Sequence, residues 1–139
     1  MKKLTIAALA LVMLTACGPK VTTGTAEKEL DSSTVKVSVT LEDGKVTEIT
    51  IDETQGETTK RELGEGYGMK GTSAAIGRIE GGAEWFEQVD SLQNYIVANG
   101  VEAVALDDSG YATGDLASSC TINLYNIMAT VNDAIANAK

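Results

Sequence analysis

Residues 35–51, VKVSVTLEDGKVTEITI, decide the fold of this chain. The first seven residues alternate apolar with polar side chains, and a period of two is typical of a strand with one buried face. Glu42-Asp43-Gly44 then predicts a three-residue turn with the glycine in the left-handed conformation. The return strand, residues 45–51, pairs back across this turn and places Val37 opposite Ile49. We therefore expect an antiparallel hairpin with one apolar face.

The remaining pattern predicts helices beside this hairpin. From Glu84 to Asn99 the apolar residues recur every three to four positions, which indicates an amphipathic helix; Trp85 lies on its stripe, where a core role is favoured over ligand contact. A last helix is expected to begin near 119–121, and 101–106 is a short apolar run suited to a strand. We expect an α+β fold, with a small antiparallel sheet (the hairpin plus one or two strands) packed with two helices.

The beginning of the chain has the features of a lipoprotein signal. Two lysines precede an apolar run, Leu4–Leu14, which is too short to span a bilayer and suits a signal peptide. Leu14-Thr15-Ala16-Cys17 resembles a lipobox, the site at which a diacylglycerol is attached to the cysteine. An ordinary secretory signal with a chance cysteine is the alternative. The lipobox predicts a protein anchored to a cell membrane on its extracytoplasmic side.

These features divide the chain into a signal peptide (1–16), a lipidated tether (17–24) and one domain (25–139). Removing sixteen residues from 139 leaves 123, which is enough for a single domain. Histidine is absent, which argues against zinc hydrolases and serine–histidine or cysteine–histidine nucleophiles. Nine basic residues against twenty acidic ones in the mature chain argue against a nucleic-acid partner.

The candidate site begins in Asp115–Thr121, DLASSCT, a small and hydroxyl-rich turn before the expected last helix. The first amides of a helix have no intrahelical partner and lie at the positive end of the helix dipole, so they can bind a phosphate. Small residues let an anion approach these amides, and Thr121 adds a hydroxyl. The alternative is that one of these hydroxyls only caps the helix, since serine and threonine are preferred there.

The same stretch resembles the Asp-x-x-Ser/Thr-Gly-Ala-Thr motif of FMN-binding domains, in which the final threonine can carry FMN through a phosphoester bond. Ser119 stands where that family has glycine, and Cys120 where it has alanine. The resemblance implies that Thr121 binds or carries the FMN phosphate and that Ser118 and Ser119 donate hydrogen bonds to it. It also implies that Asp115 orders the turn through backbone N–H groups or contacts a flavin-attaching enzyme. Cys120 belongs to the same candidate cofactor site, either as a small side chain that packs inward, which we favour, or as a thiol that lines the site.

A second part of the chain is similar to small membrane-anchored lipoproteins related to the FMN-binding domain. The similarity lies in 66–70 (GYGMK), 84–88 (EWFEQ) and 95–97 (YIV), and with the other motifs it covers most of the domain. It implies that Tyr67 and Met69 contact the flavin ring. Gly68 and Lys70 belong to the same site, where a glycine lets the backbone approach a ligand closely.

Positive charge is distributed unevenly around these motifs. No lysine or arginine occurs between Ile79 and Ala138, whereas nine carboxylates do. The basic residues before this gap lie in 52–82, a glycine-rich stretch that we expect to be a ligand-facing loop; they are Lys60, Arg61, Lys70 and Arg78. Either backbone amides hold the phosphate alone, or this loop folds over it and supplies a cation. A solvated basic face is the alternative.

The function that these expectations favour is a membrane-anchored FMN carrier that passes electrons between extracytoplasmic partners. Its partners would be the membrane, a flavin-attaching enzyme and other redox proteins, and it would not itself be an enzyme. The alternative is a non-redox surface lipoprotein that keeps the fold as a binding module without a cofactor. An enzyme that reduces a small substrate at the flavin is less favoured, because no cluster of proton donors stands out.

Overall fold

The computed structural model describes residues 18–139, which form an α+β fold as expected. A four-stranded antiparallel sheet has the order β1-β2-β3-β4, and two long and two short helices accompany it. The strands are β1 (Val21–Glu29), β2 (Thr34–Glu42), β3 (Lys45–Gln55) and β4 (Thr58–Thr59). The helices are α1 (Lys60–Leu63), α2 (Lys70–Ile76), α3 (Trp85–Asn99) and α4 (Tyr125–Ala136), with 3-10 turns at Gly64–Tyr67, Val101–Ala103 and Gly114–Ser118.

The predicted hairpin is confirmed, but its turn is one residue shorter than expected. Asp43 and Gly44 form a two-residue turn with φ values of 49° and 80°, the positive angles that an Asp-Gly hairpin turn requires. A bulge at Thr47 then adds one residue to β3. Val37 therefore lies opposite Ile51 and not opposite its predicted partner. The shorter turn and the bulge together shift the register by two residues from the predicted one. Because side chains alternate with a period of two, the same apolar face remains buried.

The first strand begins inside the range predicted as a tether. Strand β1 starts at Val21 and packs so closely on α4 that a Cβ added to Gly24 would overlap the carbonyl oxygen of Ala134. The edge of β1 is also paired, because Thr23 and Lys139 exchange two backbone hydrogen bonds of 3.3 and 3.2 Å. Residues 21–24 are therefore part of the folded domain, and the tether prediction is wrong for them.

The chain enters the sheet at the end that carries the β2–β3 turn. The amide of Asp43 donates to the Lys20 carbonyl at 2.8 Å, and the amide of Lys20 donates to the Asp43 carboxylate at 3.0 Å. The predicted signal peptide (1–16) and lipidation site at Cys17 lie outside the described residues. Within 18–139, no helix is both long and apolar enough to cross a membrane.

The core lies between one face of the sheet and the two long helices. Alternate residues of β2 and β3 point inward, and α3 packs on β3 while α4 packs on β1 and β2. The opposite face of the sheet carries polar side chains. The predicted α3 is confirmed to within one residue: Glu84 caps it, and its side chain and that of Glu87 form a reciprocal capping box.

Three other sequence expectations are wrong in detail. The last helix begins at Tyr125 and not near 119–121, because the preceding amides already have tertiary partners: the amide of Leu124 donates to the Gly110 carbonyl at 2.8 Å. The run 101–106 contains a 3-10 turn and, at Leu106, a single bridge instead of a strand. The stretch 52–82 is not a structureless loop, since it holds the end of β3, β4, α1 and α2.

Candidate functional site

A cavity of about 430 Å³ lies where α2, the start of α4 and the ends of β2 and β3 meet. Its volume falls within the range of small-molecule sites, about 300–1,000 Å³. Apolar side chains form part of the wall, among them Val35, Ile76, Trp85 and Ile127. Hydroxyl and amide side chains form another part: Thr72, Ser73, Thr121, Asn123 and Asn126. The cavity thus offers both apolar surface and hydrogen-bond donors to a ligand.

Thr121 lies at the edge of this cavity and is held by Gln88, a fully buried residue of α3. The Gln88 side-chain oxygen accepts hydrogen bonds from the Thr121 amide (2.7 Å) and hydroxyl (3.0 Å). The Gln88 side-chain nitrogen donates to the Ala83 carbonyl at 3.0 Å, which fixes the orientation of the side-chain amide. The hydroxyl also lies 3.4 Å from that of Ser73, and Thr121 is only 6% exposed.

These bonds correct the predicted phosphate site at a helix N-terminus. The Thr121 amide is already bonded to Gln88, and the last helix starts four residues later, at Tyr125. The amide is therefore not a free donor at a helix end, as the sequence pattern had indicated. The Thr121 side chain nevertheless contributes to the cavity wall.

The residues before Thr121 have local roles. Asp115, Ser118 and Ser119 belong to or follow the 3-10 turn, and none of them contributes to the cavity wall. The Ser118 hydroxyl donates to the Asp115 carbonyl at 2.9 Å, and the Ser119 hydroxyl donates to the Leu116 carbonyl at 3.3 Å. The structure therefore directs both hydroxyls to the backbone of their own turn. Asp115 closes this turn through its main-chain carbonyl.

Cys120 packs inward, which is the favoured expectation, and it does not line the cavity as a cofactor-binding residue would. Its side chain is fully buried in the core. Burial raises the pKa of the thiol to about 11, and a backbone hydrogen bond at Ile122 lowers the pKa by a smaller amount. A buried thiol with a high pKa is a weak nucleophile, because the thiolate is the reactive form.

The segment 66–70 reaches the cavity through a single side chain. Met69 lines the cavity, and its amide donates to the buried carboxylate of Glu84 at 2.8 Å. Gly68 ends the 3-10 turn with a φ of 79° and, like Lys70, is exposed. Tyr67 is half-buried outside the cavity wall. Of the four residues predicted here, the structure brings only Met69 together with Thr121.

Among the basic residues of 60–78, Lys60 is the one that lines the cavity. Its Nζ lies 2.9 Å from Glu53 Oε2, and both side chains are only 12% exposed. The ammonium also lies over two aromatic rings, 5.1 Å from the centre of the Tyr67 ring and 5.5 Å from that of Trp85. The second oxygen of Glu53 accepts a hydrogen bond from the Ser33 hydroxyl at 2.6 Å. Lys60 and Glu53 both line the cavity.

The role of Glu53 was missed in the sequence, although a signal for it existed. Ile49, Ile51 and Glu53 alternate on the same face of β3, so the carboxylate occupies a position at which the pattern demands an apolar residue. A charged residue at such a position needs a partner of opposite charge. The identity of that partner, Lys60, depends on how the chain folds back after β4.

The other basic residues of 60–78 do not line the cavity. Arg61 binds the Ile51 carbonyl (3.1 Å), Asp90 (2.7 Å) and Gln93 (2.9 Å), and so links α1 to β3 and α3. The other two, Lys70 and Arg78, are exposed. Of these four basic residues, only Lys60 lines the same cavity as Thr121, and its charge is paired with Glu53.

Comparisons with known proteins add to the fold and not to the function. Neither a protein-family model nor a curated protein matches this chain. A protein from Clostridium thermocellum, whose solution NMR structure is known, is similar in structure with a TM-score of 0.51 and 20% sequence identity. The similarity covers 82% of this chain and 88% of that protein. At this level of identity the similarity shows a shared fold.

Proposed function

We propose that this protein is a membrane-anchored extracytoplasmic lipoprotein that binds FMN in the cavity and carries electrons. One observation supports the proposal above all. The resemblance to FMN-binding proteins points to Met69 and to Thr121 in segments far apart along the chain, and both line the same cavity. The resemblance to FMN-binding domains and the lipidation of Cys17 remain predictions from the sequence.

The residues of the cavity suit the two parts of FMN. The apolar wall, which includes Ile76, Trp85 and Ile127, provides a surface for a flat ring system. The Thr72 hydroxyl and the Asn126 side-chain amide provide neutral donors for a phosphate, whereas the Thr121 hydroxyl already donates to Gln88. Among the described residues of the wall, Lys60 carries the only positive charge, and Glu53 neutralises it. The phosphate would therefore be held by neutral donors or by a covalent bond.

A covalent bond would join Thr121 Oγ1 to the phosphorus of the flavin phosphate. The hydroxyl loses its proton, and the flavin donor must be activated as a phosphoanhydride, whose second phosphate leaves with the bonding electrons. Gln88 orients the hydroxyl, but a neutral side-chain amide cannot take the proton. The chain also contains no histidine to act as a base. The proposal therefore includes a separate flavin-attaching enzyme, which supplies the base.

Bound flavin would supply the electron chemistry, and the protein would supply position and solvent access. The burial of Thr121 favours a lasting attachment, because a phosphoester at a site that is 6% exposed would be shielded from water. The same burial supports a second candidate, a non-redox binding module, since Gln88 and Ser73 already satisfy the hydroxyl without a ligand.

Intact mass spectrometry of the full chain, isolated from its native host, tests the proposal. We expect a yellow protein with a mass increase equal to one flavin phosphate less one water, because the ester oxygen comes from Thr121. Thr121→Ala should abolish the increase, whereas Thr121→Ser should retain it because the hydroxyl remains. Ser118→Ala is the matched control, since that hydroxyl bonds only within its own turn, and it should retain the increase.

Two results would contradict the proposal. A colourless, unmodified protein from cells that contain a flavin-attaching enzyme would favour the non-redox binding module. A mass increase that persists in Thr121→Ala would place the covalent attachment on another residue.

A further inference from the structure

A gain in the stability of the fold does not explain why Lys60 and Glu53 form a buried ion pair. Both side chains are almost removed from water, at 12% exposure each, with 2.9 Å between Nζ and Oε2. Moving two charges out of water is costly, and replacing such a pair with apolar residues of similar size is often neutral or stabilising. The position of the pair in the wall of the cavity indicates a role in binding.

The chemistry of the pair restricts the group that it can bind. The ammonium has three donors, of which the contact with Glu53 uses one. The carboxylate has about four acceptor sites, and Ser33 and Lys60 use two. The pair has no net charge, so it offers no net attraction to a phosphate dianion. It can instead offer a donor and an acceptor side by side to a neutral polar group.

The surroundings of the pair favour a planar group. The rings of Tyr67 and Trp85 lie beside the ammonium, at 5.1 and 5.5 Å from their centres. Trp85 and Val35 also line the cavity, so the pair is bordered by apolar surface. A heterocycle whose edge carries neighbouring C=O and N–H groups would match both the pair and this surface.

We infer that Lys60 and Glu53 recognise the polar edge of a flat heterocycle, with Lys60 donating to a ring carbonyl and Glu53 accepting from the adjacent ring N–H. This inference rests on the proposed function, since the flavin ring has such an edge at its N3 position. It assigns the ring to the ion pair, and it leaves the phosphate to a covalent bond with Thr121 or to neutral donors of the wall such as Thr72 and Asn126.

Fluorescence titration with two flavins lacking phosphate tests this assignment. The probes are riboflavin and its N3-methyl derivative, which has the same ring but no N–H at that edge. The protein is the full chain in detergent, produced in a host that lacks a flavin-attaching enzyme. We expect the unsubstituted protein to bind riboflavin at least tenfold more tightly than the methylated ring, because a hydrogen bond to a charged group is lost. Tenfold corresponds to about 1.4 kcal/mol.

Variants separate recognition by the pair from simple exclusion of the methyl group. Lys60→Met combined with Glu53→Met removes both charges, and the ratio of the two affinities should fall to near one. Glu53→Gln keeps the shape of the side chain but removes its charge, so the ratio should fall severalfold. Lys70→Met removes an exposed cation outside the cavity and should leave the ratio unchanged.

Three outcomes would overturn the inference. Equal binding of both flavins by the unsubstituted protein would overturn the inference and leave the proposed function standing. A full preference for riboflavin in Glu53→Gln would also overturn the inference, because exclusion by shape would then explain it. Binding of neither flavin would overturn the inference and also count against the proposed function. Urea unfolding of the double variant checks that it folds, and Glu53→Gln decides the matter if it does not.

Discussion

Gly24→Ala should damage the domain far more than an ordinary glycine substitution in a strand. An added Cβ would overlap the carbonyl oxygen of Ala134 and lie 2.8 Å from the amide nitrogen of Ala138. Both contacts are with the backbone of α4 or the residues that follow it, so no side chain can rotate away. Relief requires the C-terminal part of α4 to move away from β1.

The cost can be worked out from what that movement disrupts. A retreat of about 1 Å forfeits roughly half of the dispersion energy of facing atoms, or about 1–2 kcal/mol for some twenty carbon pairs. The two backbone hydrogen bonds between Thr23 and Lys139 contribute about 1 kcal/mol each. Alanine regains about 0.5 kcal/mol over glycine in a strand. We expect a net loss of about 3 kcal/mol in the free energy of unfolding.

Urea unfolding, followed by tryptophan fluorescence of Trp85, measures this loss. With a slope of about 1.5 kcal/mol per molar, the midpoint should fall by about 2 M. Gly66→Ala is the matched control, because its φ is not positive and nothing lies within 4 Å of its added Cβ; it should change the stability by less than about 0.5 kcal/mol. A loss below about 1 kcal/mol for Gly24→Ala would refute the reasoning on close packing.

The remaining predictions concern buried polar groups. Gln88→Ala should lower the free energy of unfolding by about 2–5 kcal/mol in urea, because the Thr121 amide loses its partner in the core; a loss under 1 kcal/mol would show that water replaces Gln88. Cys120, with a pKa raised to about 11, should resist alkylation at pH 8 until the protein unfolds, and rapid labelling of the native protein would contradict its burial. Because burial favours the neutral thiol, the free energy of unfolding should also fall as the pH rises from about 9 to 11. Cys120→Ala should remove this fall. Arg61→Met should lower the free energy of unfolding by about 1–3 kcal/mol, because it removes the hydrogen bonds of Arg61 to Asp90, Gln93 and the Ile51 carbonyl. An unchanged urea midpoint would show that these bonds do not stabilise the fold.

The elements with a clear period were predictable from the sequence. The alternation in β2 and β3 and the apolar stripe of α3 each depend on residues close together in the chain, so local patterns were sufficient. The register of the hairpin was not predicted, although Val46 and Ile49, both buried and three residues apart, mark the bulge at Thr47 as a break in the period of two. A two-residue Asp-Gly turn with a bulge and a three-residue turn bury the same face.

The start of the last helix shows where local reasoning fails. Serine and threonine at 118–121 have the composition of a helix cap, and the prediction followed that composition. In the structure, Gln88 takes the Thr121 amide and the Gly110 carbonyl takes the Leu124 amide. Both partners come from other segments, and neither can be read from the residues around Thr121.

The same dependence on distant segments explains why only part of the candidate site could be predicted. Met69 and Thr121 were identified by resemblance, but the association of Lys60 with Glu53 requires β4 and α1 to fold back over the end of β3. Pairs of opposite charge that meet only after folding leave no spacing rule in the sequence. The unexpected carboxylate on the apolar face of β3 was the only trace of this pair.

Under the proposed function, the link between Lys20 and Asp43 would restrict the partners with which the protein exchanges electrons. Along β2, the cavity residue Val35 is six residues from Leu41 at the turn end, a distance of about 20 Å. With Lys20 fixed to the turn, only Gly18 and Pro19 separate Cys17 from the folded domain, a reach of about 10 Å at most. A lipid on Cys17 would hold the turn end near the headgroups and the cavity farther out. Such a carrier would exchange electrons more readily with proteins that stand in the water phase than with quinones dissolved in the bilayer.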